Sequence, residues 1–202
     1  MKLHWSPRSP FVRKVMILLH EIDMVESVEL IRSRVAMTDP NLEVMKDNPL
    51  SKIPTLVLGN GDVLYDSRVI CEYLDSLHGK DRLFPQDPSY RWKSLRFQAL
   101  GDGTLDALVL WRNELMRTVP FEKLAAVFEL KISTVLDRLE ADVEELASLP
   151  FSIGHISVGC ALSYLDFRFD NLAWRDEHPQ LAQWFDGFLQ RSSVVETSPI
   201  DE

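Results

Sequence analysis

An α/β N-terminal domain followed by an all-helical C-terminal domain is the fold class this sequence predicts. Three observations predict it. Short strand-like runs alternate with helical periodicity up to Leu77. Glycine, proline and charge then concentrate in residues 78–89. Beyond that stretch no strand pattern recurs. The 202 residues are 46% hydrophobic and 26% charged, enough to bury a sizeable core as one large domain or two small ones.

Leu3 to Trp5 reads as the first strand, with no apolar signal-peptide run at this start. Pro10 to Glu21 reads as the first helix, because Val12, Val15, Leu19 and Ile22 recur at helical spacing. Ser9-Pro10 opens it: the serine oxygen can accept from an orphan N–H, and proline tolerates the first helical position. Helix starts favour acids, yet this one carries Arg8, Arg13 and Lys14 and no acid. That places positive potential where an anion would already be welcome. A plain N-cap with solvated cations is the alternative reading.

Val28 to Ile31 reads as the second strand, and a poorly periodic stretch follows through Lys46. Asn48-Pro49-Leu50-Ser51-Lys52-Ile53-Pro54 then leads into a strand over Thr55 to Leu58. A proline directly before a strand marks an edge or a cis turn. In the cis case the Ile53 N–H and C=O face outward and can pair with a ligand backbone as a short added strand. An ordinary trans proline is the alternative. Gly59-Asn60-Gly61 is a hairpin signal, and Val63 to Tyr65 is the return strand. Ile70, Tyr73, Leu74 and Leu77 mark a helix from Ser67 to Leu77. Ser67 offers a hydroxyl and an N–H at that helix start, suited to a carboxylate, and Asp66 can take an ammonium. Simple capping is again the alternative.

Tyr90 to Arg117 reads as one long helix, with Gly101 and Gly103 as candidate bend points. Pro120 opens another, with Phe128, Ile132, Val135, Leu139, Val143 and Leu146 on one face. Ser152 to Phe169 is apolar almost all round, which predicts a buried central helix capped by Ser152. Pro179 starts a last helix with Leu181, Trp184, Phe185, Phe188 and Leu189 facing inward. The expected organisation is an N-terminal domain over 1–78, a linker over 79–89 and a helical domain over 90–202.

A net charge of −9 argues against nucleic acid as a general partner. No apolar run is long enough to span a bilayer, so no membrane role is expected. Cys71 and Cys160 form no CxxC or metal spacing and read as buried, inert thiols in a reducing cytoplasm. No metal is expected.

With Ser9-Pro10, Ile53-Pro54 and Asp66-Ser67 in this order, the chain resembles a cytosolic glutathione transferase of the bacterial, serine-type kind. The resemblance covers essentially the whole length. It implies a thioredoxin-like N-terminal domain that binds glutathione as co-substrate, and an all-α C-terminal domain. It implies that Ser9 hydrogen-bonds the glutathione sulfur. Ser6 is a second serine near the helix mouth, and the Ser-Pro context favours Ser9. By the same resemblance Ile53, preceding the cis residue Pro54, pairs its backbone with the cysteinyl part, and Asp66 and Ser67 hold the γ-glutamyl end. Lys52 is near enough to reach the glycine carboxylate. A second-substrate pocket between the domains would draw on Phe11, Trp111 and Met116, each of which reads equally well as core or dimer face. The family also implies a cytoplasmic homodimer, formed through the third and fourth helices, that acts in detoxification. It usually places an acid three residues after the cap of the central helix. Here His155 stands there, which predicts a weaker cap or one that depends on another partner.

The chemistry follows from a thiol whose ordinary pKa is about 8.5 and whose thiolate is the nucleophile. A hydroxyl donor and a helix N-terminus both favour the anion. Lowering the pKa by about two units takes roughly 2.7 kcal/mol, within reach of one charge-assisted bond and a dipole. Serine forms no mixed disulfide, so conjugation to an apolar electrophile is expected over thiol–disulfide exchange. Other glutathione reactions on the same fold (peroxidase, lyase, dehalogenase, isomerase) and a non-catalytic binding or regulatory role are the alternatives.

Overall fold

The computed structural model describes residues 1–79 and 82–201. They divide into two compact units, Met1–Phe84 with Ser192–Glu202, and Pro85–Arg191.

The first unit runs β1 (Lys2–Trp5), α1 (Pro10–Glu21), β2 (Glu29–Arg32), α2 (Leu42–Asp47), β3 (Thr55–Val57), β4 (Val63–Leu64) and α3 (Ser67–Leu77). The sheet order is β2-β1-β3-β4. β1 pairs parallel with β2, which requires the crossover that α1 supplies. The β1–β3 and β3–β4 pairs are antiparallel. Leu3 and Leu56 are fully buried in the sheet, α1 packs against α3, and Val15 of α1 and Ile70 of α3 are fully buried. The expected α/β unit is therefore present, with no strand end displaced by more than one residue.

One helix departs from expectation. The stretch read as poorly periodic contains α2, whose N-terminus is capped by Asn41 accepting from the N–H groups of Glu43 and Val44. Only Val44 of its six residues is buried. A helix that buries one side chain writes no apolar period into the sequence.

The second unit holds α4 (Pro88–Leu115), α5 (Glu122–Ser148), α6 (Ile153–Arg168), α7 (Trp174–Glu177) and α8 (Pro179–Leu189). α6 is buried on every side from Ile153 to Leu165, as its composition predicts. α5 turns Phe128, Ile132, Leu136, Leu139, Val143 and Leu146 inward. Gly101 does not end or divide α4. A Cβ at that position would lie 2.4 Å from the Ser157 carbonyl carbon, so the residue permits close contact with α6.

The expected 90–202 domain needs correction at its end. α9 (Ser192–Val195) belongs with the first unit. Arg13 Nη2 donates to the Val194 carbonyl at 3.2 Å, and Ser193 Oγ donates to Glu21 Oε1. Long-range bonds to α1 outweigh chain proximity to α8. Of the expected linker, Lys80 and Asp81 lie outside the described residues. Leu83 and Phe84 are buried, and the Asp75 carboxylate accepts their N–H groups at 2.8 and 3.2 Å. Among the described residues no helix is long and apolar enough to cross a membrane.

Candidate functional site

The sheet register brings three chain turns to one end of the first unit. His4, near the end of β1, lies opposite Thr55 at the start of β3. Leu56 in turn lies opposite Leu64 at the end of β4. The turn after β1, the turn before β3 and the turn after β4 therefore leave the sheet on the same side. These carry Ser9, Lys52-Ile53-Pro54 and Asp66-Ser67.

Ser9 is the N-cap of α1, with Oγ accepting the Val12 N–H at 3.3 Å and Pro10 next in the helix. Its hydroxyl proton remains available to a further acceptor. Ser6 lies below it: the Ser6 carbonyl accepts the Ser9 N–H at 3.2 Å, and Ser6 Oγ is near the Arg8 N–H at 3.5 Å. The positive potential expected here is smaller than the sequence implies. Arg13 and Lys14 are buried and Arg13 is held by Val194, while the exposed Arg8 pairs with Asp201 at 3.2 Å. Pro10 has no N–H, and the Val12 and Arg13 N–H groups are taken by the Ser9 hydroxyl and carbonyl, so the anion-stabilising groups at the α1 mouth are the Ser9 hydroxyl, the Phe11 N–H and the dipole of a first turn that carries no acid.

The Ile53–Pro54 bond is cis. Neither the N–H nor the C=O of Ile53 has a hydrogen bond among the described residues, so both are free to pair with a ligand backbone. The loop before it is held by Asn48, which is 1% exposed. Its Nδ2 donates to the Lys52 carbonyl at 3.1 Å and to Thr55 Oγ1 at 2.9 Å, and its Oδ1 accepts the Leu50 N–H at 3.0 Å. Ser51 takes the left-handed conformation, φ 51°, and its Oγ accepts the Asn41 N–H at 2.8 Å. The Lys52 side chain is exposed. Asn48 has a structural role that its place in the sequence does not display. Its only signal was an asparagine before proline, which marks a turn without saying what the amide holds.

Asp66 is the N-cap of α3, with Oδ1 accepting the Arg68 N–H at 2.9 Å. The residue is exposed, and its second carboxylate oxygen is left for a cation. Ser67 is the first residue of α3 and is 2% exposed, so only a ligand seated closely on the helix end reaches it.

The family profile "Glutathione S-transferase, N-terminal domain" matches residues 8–77, and "Glutathione S-transferase, C-terminal domain" matches residues 122–187. The uncharacterized GST-like protein YibF of Escherichia coli (strain K12) is 31% identical over 98% of both chains. The chain belongs to the glutathione S-transferase family. A crystal structure of a glutathione transferase family member from Pseudomonas fluorescens Pf-5, with bound glutathione, shares 48% identity at a TM-score of 0.95 over 99% of each chain. A second crystal structure of that same target, with bound S-(propanoic acid)-glutathione, shares 46% at a TM-score of 0.91 over the full length of both chains.

The remaining residues expected in the site are divided between the two units. Phe11 is half-buried on α1 in the first unit. Trp111 and Met116 lie in the second unit. Trp111 is 5% exposed and stacks on Phe169 with ring centroids 4.7 Å apart, and its indole Nε1 has no partner among the described residues. Met116 is the exposed C-cap of α4. His155 has a structural part. Its Nδ1 accepts the Ser152 N–H at 3.2 Å, and its Nε2–H donates to the Leu146 carbonyl at 2.9 Å. Both halves of a capping box are present. Of the two expected outcomes, the cap depends on further partners: Leu146 on the imidazole, and Ser94, whose hydroxyl donates to Ser152 Oγ at 2.9 Å. Burial, reinforced by the Arg191 charge and opposed by the Leu146 bond, lowers the His155 pKa from 6.5 to about 4.

Proposed function

We propose that this protein is a cytoplasmic glutathione S-transferase that keeps the glutathione sulfur anionic for attack on an apolar electrophile. The observation that carries the reading is the common exit side of three turns with complementary chemistry. Ser9 supplies a hydroxyl at a helix N-terminus, Ile53 a free backbone pair, and Asp66-Ser67 a carboxylate beside a second helix N-terminus. In the proposed pose Ser9 donates to the thiolate, Ile53 pairs with the cysteinyl backbone, Asp66 takes the γ-glutamyl ammonium and Ser67 its carboxylate. Lys52 reaches the glycine carboxylate.

The sulfur lone pair forms the new C–S bond, and the electrophile loses a leaving group or gains a proton from water. Burial of the bound thiolate away from bulk water strengthens both anion contacts. Phe11, Trp111 and Met116 are proposed for the apolar pocket, and a homodimer for the functional assembly. The relative's structures with glutathione and S-(propanoic acid)-glutathione support this reading, and the second ligand is a thioether, the product class of conjugation.

Ser9→Ala is expected to lower conjugation about 10²-fold, the scale of losing one oxyanion donor, in steady-state assays with a panel of electrophiles. Ser67→Ala is expected to weaken glutathione affinity by calorimetry with a smaller effect on the chemical step. Full activity in Ser9→Ala would transfer the role to Ser6 or a backbone N–H. Turnover of peroxides instead of carbon electrophiles would favour a glutathione peroxidase on this fold.

A further inference from the structure

A polar cluster centred on His4 has no part in the roles given above. His4 lies in the central strand pair and is 5% exposed. Its Nδ1 is 2.8 Å from Ser33 Oγ, just past β2, and its Nε2 is 2.8 Å from Asp47 Oδ2, the last residue of α2. With the proton on Nε2 the ring donates to the carboxylate, and the Ser33 hydroxyl has its one proton between His4 Nδ1 and the Ile31 carbonyl, 3.2 Å from Ser33 Oγ. One imidazole in the sheet thus ties together the turn after β2 and the end of α2.

The tie matters because α2 has little else to fix it. Val44 is its one buried side chain. Its other anchors are polar: Asn41 Nδ2 to the Arg34 carbonyl at 2.8 Å, and the Asn41 N–H to Ser51 Oγ. An element with few buried apolar contacts opens at low free energy. Asp47 is followed directly by Asn48, whose amide sets the Lys52 carbonyl ahead of Ile53. The chain from His4 to Ile53 is therefore a continuous series of hydrogen bonds and covalent links, with no apolar packing in parallel at α2 beyond Val44.

We propose that His4 is a positioning residue for glutathione, clamping α2 through Asp47 so that the 48–54 loop presents the Ile53 backbone in the geometry a ligand strand needs. This rests on the glutathione reading above. The prediction concerns affinity more than chemistry, since His4 touches neither sulfur nor electrophile.

The test compares His4→Phe, which keeps an apolar ring in the sheet, with Asp47→Ala, which breaks the same clamp from the helix side. Each is expected to raise the glutathione Kd about tenfold, the size of losing one charge-assisted bond. The kcat at saturating glutathione is expected to stay within about twofold. Amide exchange over residues 42–53 is expected to quicken in both variants while that of α1 and α3 is unchanged. Asp47→Asn, which keeps an acceptor oxygen for Nε2–H, is expected to recover most of the affinity. Unchanged Kd in both clamp variants would overturn the proposal while leaving the glutathione reading intact. Exchange that quickens equally in α1 and α3 would reduce His4 to a general stabiliser and overturn it too. Failure of the unaltered protein to bind glutathione at all would sink the reading itself and the proposal with it.

Discussion

At the residue scale, His155 shows how a buried base replaces an acid. An acid at the third helical position would accept the Ser152 N–H as an anion and leave the Leu146 carbonyl to find another donor. The imidazole serves both groups, but only while neutral. Its folded pKa is about 4, below the ordinary 6.5 that the unfolded chain would show. The folded state therefore binds fewer protons between these values, and stability rises with pH across that window. The contribution is complete above about pH 6.5 and is lost as the pH falls toward 4, on the order of 3 kcal/mol in all. Urea unfolding across pH 4–7.5 checks this, and His155→Gln is expected to flatten the dependence while lowering the neutral-pH plateau. Ser9 and Ser67 were legible in the sequence as helix-start residues, because capping chemistry is local. The His155 partners were not, since Leu146 and Ser94 come from other helices.

At the element scale, α4 and α6 approach too closely for a side chain at residue 101. The nearest atoms to a Cβ there are backbone, which cannot rotate away. Gly101→Ala gains helix propensity of up to about 1 kcal/mol. The overpacking it forces costs about 1–3 kcal/mol. The net expectation is a lower Tm in scanning calorimetry, and a raised Tm would show that α6 yields without cost. The sequence displayed α6 clearly because it is apolar almost all round, whereas the buried face of α4 mixes Phe97, Leu105 and Leu108 with Ser94, Gln98 and Asp102. It could not tell a bend from a contact at Gly101, since both ask for the same residue. α2 was illegible for the opposite reason: it is held by polar bonds to distant residues, and those leave no period.

At the scale of the whole molecule, the division into an α/β unit and a helical unit was readable, because strand periodicity stops where the prolines gather. The return of α9 to the first unit was not readable. It is fixed by Arg13–Val194 and Glu21–Ser193, pairs separated by most of the chain. The proposed homodimer predicts a sedimenting species of twice the 23.2 kDa chain mass at micromolar concentration. A single species at the chain mass would remove the assembly from the proposal without touching the site.

The placement of α9 also bears on the order of events during synthesis. A ribosome delivers residues 1–84 first, then the whole of 85–191, and only then the segment that lies on α1. Until that segment emerges, the carbonyl of Val194 is not there to receive the buried Arg13 guanidinium. The unit that carries the three turns is begun before the helical unit and completed after it.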